Sequence, residues 1–185
     1  MTRKLLSLML FLNCSALSSC LFPPHQHGSM QTVTPNLSAA RFNAELGLHY
    51  LQFGKINSAK EKFNLALEQA PNDPLVLDAL GFYYEKIGAH DLANQYYFNA
   101  LLIAPHSGTI RSNYGAFLCR NGYVSEGVFY LVDAAKTPHY PHARNTYQYA
   151  RYCAEYLHNN VGDNTEYNYY RKMLNQSSPI QYWAR

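Results

Sequence analysis

Small and apolar residues recur along this chain at a fixed interval, and that interval constrains the fold more than any other feature. Gly47, Gly81 and Gly115 lie 34 residues apart, as do Gly54, Gly88 and Gly122. Ala66, Ala100 and Ala134 keep the same spacing, and so do Phe63, Tyr97 and Leu131. Ala59 and Ala93 are followed at that interval by Gly127, while Pro71 and Pro105 close two units and Pro138 falls one position early in the third. A period of this length, kept at so many positions, specifies a stack of like supersecondary units. Each is too small to cover its own apolar faces, and stacking on its neighbours covers them.

Inside a unit the apolar residues have helical spacing. Leu77, Leu80, Gly81 and Tyr84 fall at i, i+3, i+4 and i+7, and Ala93, Tyr97, Ala100 and Leu101 repeat the rhythm in a second helix. Gly81 and Ala93 are expected where the two helices come closest. Gly88 is expected to cap the first helix in the left-handed conformation, and Pro105 to end the second by lacking an N–H. This pattern looks like the tetratricopeptide repeat. The fold expected is all-α, with helical hairpins stacked in a short right-handed superhelix. The units are placed at 40–73, 74–107 and 108–141, followed by a degenerate fourth unit and capping C-terminus over 142–185. In that last unit, 144–157 read as a first helix, 158–164 as a long turn and 165–174 as a second helix.

The N-terminus carries a different signal. Arg3 and Lys4 precede a mostly apolar run from Leu5 to Leu17. That run falls short of the roughly 20 residues that span a bilayer core, but it suits a secretory signal peptide over residues 1–19. Leu17-Ser18-Ser19-Cys20 resembles the bacterial lipobox, whose cysteine is acylated, and cleavage before Cys20 would leave a lipidated N-terminal cysteine. An ordinary signal peptide with an incidental cysteine is the alternative. Leu21 rather than aspartate after the cysteine implies, by the enterobacterial sorting rule, the outer membrane. Residues 20–39, rich in proline and polar side chains, read as the lipidated N-terminus and a flexible tether. Its nineteen residues 21–39, fully extended, reach at most about 65 Å. Removing residues 1–19 takes Arg3 and Lys4 and no acid, leaving 13 basic against 12 acidic residues. That balance, with no long basic run, sets nucleic acid aside.

The stretch 112–122, SNYGAFLCRNG, forms the first helix of the third unit. No histidine or acid is placed by the local sequence to activate Cys119, so a catalytic thiol is not expected. Cys153 lies 34 residues on, in the corresponding helix of the fourth unit. First helices of neighbouring repeats lie side by side, so the two thiols could bridge in an oxidising periplasm. Two buried thiols are the other reading. Repeat offsets that face the concave side of such a stack nominate a partner-binding groove. Its residues are Leu48, Leu51 and Gln52 in the first unit and Leu75, Asp78, Phe82, Glu85 and Lys86 in the second. Ser112, Asn113, Ala116 and Arg120 continue it in the third, with Arg41, Ala44, Thr109 and Cys119 at further inward offsets. This mixed wall suits a segment with apolar anchors, with Phe82 as anchor candidate or, equally, an edge of the interhelix core. Tyr167, Tyr169 and Tyr170 could form an exposed patch.

Asn113-Tyr114-Gly115-Ala116-Phe117-Leu118-Cys119 resembles the Asn-Tyr-Gly-x-Phe-Leu-Cys signature of the type IV pilus biogenesis and stability lipoproteins, the PilW/PilF family. His139-Tyr140-Pro141, Tyr147 and Cys153 are similar to that family's third-to-fourth-repeat segment, and the lipobox agrees. The resemblance runs from about Leu17 to about Cys153. It implies an outer-membrane pilotin whose partner is the secretin of a type IV pilus system, supporting its localisation or multimerisation and the stability of pili. The family has about six repeats, whereas this chain shows three good ones and a worn fourth.

Two other readings compete. One is a generic periplasmic adaptor lipoprotein for envelope complexes. The other is an enzyme, for which the sequence offers no nucleophile elbow, phosphate loop or metal-ligand cluster. His25 and His27 lack further ligands, and His139 and His142 flank a turn. The expectation is a binding scaffold without catalysis, cofactor, metal or small-molecule substrate.

Overall fold

The structure is a computed structural model that describes residues 36–161 and 165–176. Cys20, the lipobox-like stretch, most of the tether and the closing residues 177–185 lie outside the described residues. The described chain is all-α, eight helices in successive hairpins: α1 (Leu37–Gln52) with α2 (Ile56–Gln69), α3 (Pro74–Lys86) with α4 (His90–Ile103), and α5 (Gly108–Arg120) with α6 (Val124–Ala135). A fourth pair, α7 (Ala143–Val161) and α8 (Thr165–Gln176), follows.

The first three hairpins turn in the same way. Gly54, Gly88 and Gly122 all have positive φ, between 70° and 86°, a region that other L-residues enter at a cost. That conformation closes a double hydrogen bond at the end of each first helix. At the second hairpin, Gly88 N–H donates to Glu85 O at 3.1 Å and Ala89 N–H to Tyr84 O at 2.9 Å. The same pair recurs at Gly54–Lys55 and Gly122–Tyr123, satisfying carbonyls that a helix end otherwise leaves unpaired. The opposite ends are capped by side chains. Asp73 Oδ1 accepts from the amides of Leu75 and Val76, both at 3.1 Å, with Pro74 in the first helical position. Ser107 caps α5 in the same way.

The second row of glycines solves a packing problem. A Cβ on Gly47 would lie 2.9 Å from the Phe63 ring, and one on Gly81 would lie 2.7 Å from the ring of Tyr97. Gly81 therefore makes room for an aromatic ring of the partner helix. In the third unit Gly127 joins Gly115, and backbone meets backbone. The core follows from this stacking. One apolar cluster joins Phe63 and Ala59 of the first hairpin to Val76, Leu80 and Tyr83 of α3. A second joins Leu77 and Tyr97 to Ile110, Tyr114 and Phe117 of α5. A third carries Val128, Leu131 and Val132 onto Ala150, Cys153 and Leu174. Each cluster straddles a unit boundary, which holds neighbouring hairpins together.

Three boundaries differ from expectation. Helix α1 begins at Leu37, inside the stretch assigned to the tether, because Asn36 caps it by accepting from Ala39 N–H at 3.1 Å. Helix α7 runs to Val161, through residues read as a turn. The position one period after Gly122 is Tyr156, so no left-handed residue stops it there. The C-terminal helix extends to Gln176, two residues past the expected end. Between α6 and α7, His139 takes φ 59°. Tyr140 is buried there against Gly108, where a Cβ would lie 2.7 Å from its ring.

Candidate partner-binding groove

The first helices of the first three hairpins line a groove of about 1220 Å³. Helix α1 contributes Leu48, Leu51 and Gln52 to it, α3 contributes Leu75, Asp78, Phe82 and Lys86, and α5 contributes Asn113, Ala116 and Arg120. Arg41, Ala44 and Thr109 also line it. The repeat explains the convergence: a 34-residue period returns equivalent faces of α1, α3 and α5 to one side of the stack.

Glu85, Ser112 and Cys119 do not line this cavity, although their offsets nominated them. The Glu85 side chain is only 8% exposed and receives Arg120 through two contacts, Nε to Oε1 at 2.6 Å and Nη2 to Oε2 at 2.9 Å. Tyr97 O–H also donates to Glu85, at 3.2 Å. Burial works to lower the Arg120 pKa, but the carboxylate of Glu85 raises it above the usual guanidinium value. Ser112 hydrogen-bonds Thr146 at 3.0 Å, across to α7. These residues tie one first helix to the next.

Other side chains line the groove unforeseen. Glu45, His49 and Ala79 come from the first helices, Ile56 from α2 and Tyr97 from α4. Tyr97 reaches the groove side because Gly81 leaves it room. The glycine was the available signal for a second-helix residue there.

Charge in the groove is mostly committed. Arg41 Nη2 lies 2.7 Å from Asp73 Oδ2. Although burial works to raise it, this partner and the α3 amides hold the Asp73 carboxyl below its ordinary value. Lys86 Nζ sits 4.9 Å above the Phe82 ring, a cation–π contact. Asp78 differs from both. It is 7% exposed, its Oδ2 accepts from Asn113 Nδ2 at 2.6 Å, and burial pushes its pKa up to about 7.

In the structure Cys119 and Cys153 are free and buried. The neighbouring Cys153 thiol, together with burial, pushes the Cys119 thiol well above its ordinary pKa. Cys119 also packs on Gly127, where a Cβ would lie 2.7 Å from its Sγ. Such a thiol is a poor nucleophile. Tyr169 is exposed, while the side chains of Tyr167 and Tyr170 lie outside the description. Among the described residues, no group of three or more His, Cys, Asp or Glu is arranged to hold a metal ion. No described helix is long and apolar enough to cross a membrane.

No protein-family model matches the chain. It is 31% identical over 117 residues to a Haemophilus influenzae protein described as uncharacterized, a match covering 63% of this chain and 65% of that protein. It is 26% identical over 140 residues to the type IV pilus assembly protein PilF of Pseudomonas aeruginosa, covering 76% of this chain and 55% of PilF. The matched regions thus span less than two thirds of either relative. The chain is a helical-hairpin stack distantly similar to a pilus assembly protein.

Proposed function

We propose that this protein is a non-enzymatic scaffold of type IV pilus biogenesis. In this reading it is a lipoprotein held at the outer membrane through Cys20, and it acts as a pilotin by binding a segment of the secretin. The observation that carries the binding role is the groove, lined by side chains from three successive first helices. Leu48, Leu51 and Phe82 offer apolar anchor sites, while Gln52, Asn113 and Asp78 supply polar ones. A wall of this kind suits a helix or extended segment better than a small substrate. The distant similarity to PilF supports the pilus setting, and the lipobox-like Leu17-Ser18-Ser19-Cys20 supports the anchor.

The test is the detergent-resistant secretin multimer, followed by immunoblot in wild-type and deletion cells. The multimer is expected to disappear on deletion, to return with the wild-type gene, and not to return with Cys20→Ser. An unchanged multimer in deletion cells would remove the pilotin role. Equal fatty-acid labelling of wild type and Cys20→Ser would remove the anchor.

A further inference from the structure

Asp78 sits on α3, the middle of the three groove-lining helices, and its side chain is almost wholly buried. Asn113 occupies Oδ2, but among the described residues no group hydrogen-bonds Oδ1. A buried carboxylate is normally paired or fully hydrogen-bonded. The nearby cations do not serve it, since Arg41 is taken by Asp73, Arg120 by Glu85, and Lys86 lies over Phe82. The groove therefore combines apolar walls at Leu48, Leu75 and Phe82 with an acidic group whose second oxygen is unmatched.

We propose that the groove receives an apolar helical segment of a partner protein bearing one lysine or arginine on its apolar face, and that this cation pairs with Asp78. The proposal rests on the groove being the partner site. Its charge complementarity is local. A cation brought to Asp78 favours its ionised form and gives Oδ1 a donor, whereas a wholly apolar segment leaves Oδ1, already shielded from water, without one. The methylene stem of the cationic side chain packs on Phe82 and Leu48 while its head reaches down. The carboxylate's terminal torsion is soft, so a small turn presents Oδ1 to the groove. A free amine or other small ligand would fill little of about 1220 Å³, which exceeds the usual range for small-molecule pockets of roughly 300–1,000 Å³.

The experiment is a display selection against the full chain, using 15-residue amphipathic helical peptides with a Leu/Ala face. In one half of the library the central face position is lysine, and in the other it is norleucine. Lysine clones are expected to bind wild type about tenfold more tightly than their norleucine counterparts, as a matched charged contact allows. Asp78→Asn, which preserves shape and removes charge, should abolish that preference while the peptides still bind. Phe82→Ala should weaken both halves. Equal binding of the two halves, lost with Phe82→Ala, would overturn the Asp78 pairing and leave the groove reading standing. A lysine preference that survives in Asp78→Asn would likewise overturn the pairing. No clone binding wild type from either half would overturn both. A thermal melt of each variant establishes that it is folded.

Discussion

At the scale of single residues, Asp78 gives the folded state a pH dependence of defined sign. Its folded pKa, about 7, lies above the ordinary 3.8, so the native state keeps a proton that the unfolded chain has lost. Its contribution to stability is fully present below about pH 4 and declines as pH rises towards 7, by on the order of a few kcal/mol. Asp73 runs the other way, since its lowered pKa gives stability that is lost as pH falls through the acid range. Comparing wild type with Asp78→Asn isolates the first effect. Urea unfolding at pH 4.5 and pH 8 should show the variant gaining on wild type as pH rises, and parallel behaviour would refute the shift. The position of Asp78 was legible as a repeat offset, but its chemistry was not. That chemistry depends on Asn113, 35 residues away, and on cations committed elsewhere. Likewise the 34-residue spacing brings Cys119 and Cys153 together, yet spacing says nothing of their oxidation state. Because the thiols are in contact, a mild thiol oxidant should join them without unfolding the protein. A denatured thiol count should then fall from two reactive groups among these positions to none, and two remaining free would sink this prediction.

At the scale of elements, the two rows of glycines predict two kinds of defect. Gly88→Ala meets open space but forces alanine to a φ of 79°, which costs about 1–2 kcal/mol. Gly81→Ala keeps a helical backbone and drives a methyl into the Tyr97 ring, an overpacking of roughly 1–3 kcal/mol. The distinction is testable by double mutation. Tyr97→Leu should recover part of the Gly81→Ala loss, whereas strict additivity of those two would contradict the steric account. These helices were legible because glycine and alanine mark turn and contact at fixed offsets. Where the markers lapse, so did the reading. Tyr156 replaces the turn glycine and α7 runs on to Val161, while Asn36 starts α1 ahead of any repeat signal.

Across the described domain, stability should decline towards its C-terminal end. Helix α8 contributes Leu174 to the third core cluster, while the central helices α3 and α5 are packed between neighbours on either side. In a stack whose cohesion comes from nearest neighbours, a helix joined to one core cluster opens before helices packed between neighbours on either side. Amide hydrogen exchange should therefore be faster in α8 than in α3 or α5, and equal protection would argue for a single cooperative unit. The hairpin stack was readable from the period alone. The groove was readable in part, because offsets choose a face but cannot show which members of that face reach across to a neighbour.

Those crossings carry a consequence for how a partner is met. Asp78 with Asn113, Glu85 with Arg120 and Ser112 with Thr146 form rungs between successive first helices. The first two fix the spacing of α3 and α5, two of the three helices that line the cradle, before anything occupies it. In the proposed partner-binding role, a visiting segment would find the seat already made, with capture little slowed by rearrangement. Changes in fit should then register mainly in how long the visitor stays.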